Sequence, residues 1–202
     1  MYCGQSRKKG GGMKKLFLFI LVVTLITLTF NGCSRDFERD EYGSIISGGP
    51  IKPDSLRIGD CFNDLNPKEI KELAKSFREG DKSESVDVHY VSGVPCNVPH
   101  NNEVFAQSAS LFSALDDEYP SDKELGTGSE SFCTPEAYRY LGIDINLSQS
   151  KKEKMLTEAF PGWYQYIFPA PSSWDTGNRQ VDCIFYTELA RENSAKNLLE
   201  KR

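Results

Sequence analysis

Four cysteines, at positions 61, 96, 133 and 183, follow an uncharged run at residues 16–30, and no other feature of this 202-residue chain limits its fold as much. An even cysteine set behind an export-type leader reads as a disulfide framework, here two bridges with three possible pairings. Cys61 and Cys183 sit inside strand-like runs and Cys96 and Cys133 at element ends, which favours Cys61–Cys183 and Cys96–Cys133. Either bridge closes a loop of tens of residues, so loop-closure entropy is worth about 4 kcal/mol for each.

The leader has the layout of a secretory signal: Lys14 and Lys15, then LFLFILVVTLITLTF, then Asn31-Gly32-Cys33. Its fifteen uncharged positions make about 22 Å of helix, short of a hydrocarbon core of about 30 Å. Gly32-Cys33 resembles a lipobox, in which cleavage precedes a cysteine that is then diacylated. Cys33 is therefore the expected lipidation site, with an uncleaved anchor as the alternative. Either way the domain lies on the outer face of the plasma membrane. The Lys-Lys-Gly-Gly-Gly before Met13 resembles a translated ribosome-binding site, which points to Met13 as the start. Residues 1–32 thus read as signal peptide, 33–55 as a charged and Gly/Pro-rich tether with a reach of about 25 Å, 56–187 as the domain and 188–202 as a polar tail.

Cleavage before Cys33 removes five of the 24 basic residues and none of the 29 acidic ones, which leaves a net charge of about −10. Phosphate backbones need a basic patch, so nucleic acid is excluded as a partner. At 39% hydrophobic and 26% charged the chain has a globular composition.

Within the domain, residues 56–62 read as a strand. Asn66, Pro67 and Glu69 open a helix with Ile70, Leu73, Ala74 and Phe77 inward and Gly80 as its stop. A loop at residues 80–85 precedes an alternating strand at 86–94. Residues 91–106 form a corner in which Pro95 and Pro99 fix the backbone around Cys96, and a strand leaves through Val104. Ser121 or Asp122 caps a short helix. Gly126, Gly128 and Pro135 argue against its running on to Leu141, so Thr134-Pro135 is expected to start another. Ser150 and Glu153 open a helix facing inward through Met155, Leu156, Ala159 and Phe160. A hairpin follows at residues 163–168 and 180–186, and the tail beyond Glu188 is expected to fray. The fold class is α+β, an antiparallel sheet with helices on one side and two disulfides.

The ordered series Ile58-Gly59-Asp60-Cys61-Phe62, Val94-Pro95-Cys96, Pro99-His100, Glu103-Val104-Phe105, Tyr119-Pro120, Cys133, then Trp174, Gly177, Arg179, Val181 and Cys183 resembles the septum-formation family of actinobacterial envelope proteins. The resemblance spans residues 56–187. It implies a part in septation or cell-envelope biogenesis and assigns chemistry to no residue.

Chemical candidates are few. The two histidines, His89 and His100, leave little room for a histidine-rich metal site. Cys96-x-x-x-His100 reads as a disulfide half-cystine beside a turn histidine, and no metal or cofactor is called for. Ser148-x-x-Lys151 lacks the companion motifs of a penicillin-binding protein. The pairs Asp116-Asp117 and Asp122-Glu124 read as solvated charge. The aromatic hairpin supplies the best binding surface: Trp163, Tyr164, Tyr166 and Trp174, with Arg179 and His100. Tyr164, Tyr166 and Phe168 share one face and Trp163 and Ile167 the other. The expected function is therefore that of a non-catalytic envelope lipoprotein binding a wall component or division partner. A wall-modifying hydrolase is the alternative.

Overall fold

The computed structural model describes residues 37–76, 90–113 and 118–199. The leader, Cys33, Phe77, Gly80, His89, the 80–85 loop and Asp116-Asp117 lie outside them. Among the described residues no helix is long and apolar enough to cross a membrane.

Strands β1 (Glu38–Arg39) and β2 (Ile45–Ser47) pair with each other. The main sheet comprises β3 (Gly49–Ile51), β4 (Cys61–Asn63), β5 (Val91–Val94), β6 (His100–Ser108), β7 (Trp163–Ile167) and β8 (Val181–Arg191). It is antiparallel throughout, in the order β3-β5-β4-β6-β8-β7, so β7 forms one edge. Helices α1 (Pro67–Ser76), α2 (Asp122–Leu141) and α3 (Gln149–Ala159), and the single turn α4 (Pro171–Trp174), complete the α+β fold.

Alternation along the central strands sends side chains to two cores. Phe105, Cys183 and Phe185 meet Cys133, Ala137, Tyr140 and Leu141 of α2, and Phe160 after α3. Val104, Ile184 and Phe62 point the other way, onto Ile45, Ile51 and Leu56. Residues 37–55 are therefore part of the fold, which corrects their reading as a tether. Ile45 and Ile51 are buried, and Arg39 clamps the segment through two 2.6 Å bonds to the carboxylate of buried Asp60. The expected strand at residues 56–62 is shorter as well. Residues 57–60 form a turn in which Gly59 takes φ +93°, and pairing begins at Cys61.

The capping box at the start of α1 is present: the Asn66 side chain accepts from the Glu69 amide, and the Glu69 carboxylate from the Asn66 amide. Glu69 also accepts from the Ser92 hydroxyl at 2.6 Å, which ties α1 to β5.

Helix α2 corrects the reading at Pro135, since one helix runs from the Ser121–Glu124 capping box to a left-handed Gly142. Leu125, Ser129, Cys133, Ala137 and Leu141 recur every four residues as a buried stripe. That burial and the Cys133 bridge offset the hydrogen bond Pro135 forfeits, a loss of about 3 kcal/mol in an unsupported helix. Gly128 lets Phe112 approach: a Cβ there would lie 2.6 Å from the ring.

The bridges are Cys61–Cys96 and Cys133–Cys183, not the pairing favoured from the sequence. Register explains the difference. Cys61 stands opposite Val94, two residues before Cys96, whereas Cys183 faces the helix side of β8, where α2 brings Cys133.

The tail is also docked. Ala195 is buried, the Asn197 amide donates to the Tyr140 carbonyl at 2.8 Å and the Leu199 amide to that of Leu141 at 3.1 Å.

Candidate functional site

The strand pair β7–β8 carries the aromatic candidates, and the fold divides them. Tyr164 and Tyr166 turn toward the helix-side cores. The Tyr164 hydroxyl is bonded to Thr134 of α2 at 2.7 Å. Burial, with the charge of Glu130 behind it, pushes the Tyr166 phenol above its ordinary pKa. Trp163 is on the opposite face as expected, half exposed, with its ring 4.6 Å from that of Tyr186.

Trp174 and His100 are not surface residues, which corrects their place in the candidate set. Each is 1% exposed. Trp174 is the centre of a core with Phe112, Leu125 and Val181. Arg179 lies 3.7 Å above its ring and donates to its carbonyl at 2.6 Å, so this arginine is a staple on the Trp174 turn.

Beside β7 lies an apolar cleft of about 340 Å³, lined by Leu156, Phe160, Gly162, Trp163, Tyr164 and Phe185. It forms because α3 ends at Ala159 and the chain must reverse through Phe160-Pro161-Gly162 into β7. Gly162 has no alternative, since a Cβ there would lie 2.1 Å from the Tyr186 carbonyl oxygen. An apolar slot beside β7, an edge strand among the described residues, suits a ligand with an extended backbone and one apolar or ring-shaped group. The Phe-Pro-Gly step between a helix and an aromatic strand is the available signal for this cleft; the sequence marks Leu156 and Phe160 only as inward-facing and gives Phe185 no role.

The corner at residues 91–106 holds a second, buried constellation. Glu103, 1% exposed, accepts from the Tyr140 hydroxyl at 2.8 Å, from the Ala195 amide at 2.7 Å and from the Ser194 hydroxyl. Burial first, then the charge of Glu103, drives the Tyr140 phenol far above its usual pKa. Arg191 stands close enough for Glu103 to oppose the downward push that burial exerts on its guanidinium. His100 donates from Nδ1 to the Val98 carbonyl at 2.8 Å, while its Nε2 is buried without a hydrogen-bond partner. One donor atom each from Cys61, His100 and Glu103 lie within 4.8 Å of one another. The sequence reading had paired His100 with Cys96 and had missed Glu103, although an acidic residue inside an apolar strand is itself a sign of a buried, partnered group.

No curated protein and no solved structure matches the chain. The family described as Septum formation matches residues 77–183, a span that includes the corner, α2, the cleft-forming α3–β7 turn and three of the four bridging cysteines. The chain belongs to the septum formation family, which gives it a role in septum formation or cell division.

Proposed function

We propose that this protein is an exported lipoprotein, anchored through Cys33 on the outer face of the plasma membrane, that binds a wall component or a division partner and acts by recruiting or spacing it. The observation that carries this reading is the cleft at the β7 edge, with half-exposed Trp163 on its rim. An apolar slot beside a strand that is at the sheet edge among the described residues suits polymer or peptide without any reacting group.

Among the described residues, the candidate reacting groups of the corner are engaged structurally: Cys96 in a bridge, His100 at a turn carbonyl and Glu103 under three donors. Anchoring at Cys33 sets the working distance. β1 begins at Glu38, and five residues span at most about 18 Å, so the domain works close against the lipid surface.

The test is one purified domain assayed two ways, for capture of isolated cell wall and envelope proteins and for release of wall fragments. Capture that Trp163→Ala weakens about tenfold, with unchanged melting, supports the reading. Wall turnover lost in His100→Ala, with both disulfides intact, overturns it in favour of a hydrolase.

A further inference from the structure

We infer that the Cys61–Cys96 bridge masks a thiophilic metal site, and that reducing it lets Cys61, His100 and Glu103 bind a divalent ion of the zinc type. Three observations meet at one place. Donor atoms of the three side chains already lie within 4.8 Å of one another. Two ligands of a tetrahedral zinc, each roughly 2.0–2.3 Å from the metal, stand about 3.4–3.8 Å apart, so rotations of about an ångström close the set. His100 has a nitrogen free to bind a metal, since Nδ1–H is held by the Val98 carbonyl and Nε2 is buried without a hydrogen-bond partner. A carbonyl on the far nitrogen is the usual support of a metal-bound imidazole. Glu103 is likewise fixed, by Tyr140, Ser194 and Ala195, and a carboxylate so bonded has lone pairs to spare.

In the oxidised protein Cys61 offers no thiolate, so the site is closed. The two bridges differ in access: Cys133 and Cys183 are each 0% exposed, whereas Cys96 is half-buried. A dithiol reductant therefore reaches the Cys96 sulfur first. Its thiolate bonds to Cys96 Sγ, the Cys61–Cys96 bond breaks, and the electron pair leaves on Cys61. The second thiol of the reductant then displaces Cys96. The dithiol ends as a disulfide and the bridge as two cysteines, with two electrons and two protons transferred. Cys61 emerges as a thiolate beside His100 and Glu103, and the metal takes the place of its proton. Cys96, whose Cα is 5.2 Å from that of Cys61, supplies the fourth ligand. Two thiolates and Glu103 balance the ion together with Arg191, whose charge is felt by Glu103, so the filled site is neutral and its burial carries no uncompensated charge.

The test is titration of the domain with cobalt(II), whose thiolate charge-transfer and tetrahedral bands report the ligands directly. Four samples are compared: oxidised, reduced at Cys61–Cys96 with Cys133–Cys183 verified intact, the Cys96→Ser variant that frees Cys61 without reductant, and reduced His100→Ala. The expected result is no band in the oxidised protein and a thiolate–cobalt band in the second and third. Loss of second-shell support alone costs 10–100-fold in affinity, so reduced His100→Ala should bind at least about 100-fold more weakly. A reduced or Cys96→Ser domain that keeps its fold and binds cobalt no better than the oxidised one overturns the proposal, as does binding that His100→Ala leaves unchanged.

Discussion

Glu103 in the middle of β6 accepts a 2.7 Å hydrogen bond from the backbone amide of Ala195, 92 residues further along the chain. With the Tyr140 and Ser194 hydroxyls on the same carboxylate, this contact locks the tail onto α2 and the corner. Glu103→Gln keeps the shape but turns an NH₂ toward donors. A buried group so mismatched costs about 3 kcal/mol, read as a lower denaturation midpoint with faster amide exchange at Ala195 and Asn197. An unchanged midpoint would mean the tail docks through its leucines alone.

The Arg39–Asp60 pair makes residues 37–55 part of the domain. Arg39→Ala strands a carboxylate that is 3% exposed, and breaking a buried pair costs about 3 kcal/mol or more. Chemical denaturation should show that loss. A cost below about 0.5 kcal/mol, usual for surface substitutions, would return the segment to the status of a tether.

Two glycines of α2 should respond in opposite directions. Around Gly126 a Cβ meets nothing within 4 Å, so Gly126→Ala should stabilise by up to about 1 kcal/mol. At Gly128 the same methyl strikes Phe112, and overpacking of roughly 1–3 kcal/mol outweighs the helix gain. Thermal melts of the two variants check both signs.

Asp182 supplies a pH signature. Burial raises its pKa, against the lowering effect of the Gln180 and Gln107 side-chain amides. A carboxyl raised in the folded state contributes stability that is fully present below its unfolded pKa, about 3.9, and lost as pH climbs through the folded value. Asp182→Asn should therefore gain on the wild type as pH rises from that point. Parallel stability curves for the two proteins between pH 3 and pH 7 would contradict this.

Much of the fold was legible because its signals are local. The Asn66–Glu69 box, the β7–β8 pairing and the inward face of α3 each follow from spacing and capping within a dozen residues. What was misread depends on distant partners. Ile45 and Ile51 look isolated among charges and glycines until the far side of Val104 and Ile184 is known. Pro135 looks like a helix start until the stripe from Leu125 to Leu141 is seen to be buried. The pairing of four cysteines is a matter of register, and both loops, of 35 and 50 residues, carry about the same closure entropy of 4 kcal/mol. The aromatic surface was half legible. Period-two alternation separated Trp163 from Tyr164 and Tyr166 but did not say which face is outward, and nothing local says that Trp174 and His100 are covered.

The cleft beside Trp163 is the proposed binding site, and photo-crosslinking tests it most directly. A photoreactive phenylalanine analogue placed at position 163, or at position 42 where Tyr42 is 86% exposed, is activated in cells carrying the full chain. Position 163 is expected to capture wall polymer or an envelope protein, and position 42 is not. Equal capture at both positions, or none at 163 while the purified domain still binds wall, would contradict it.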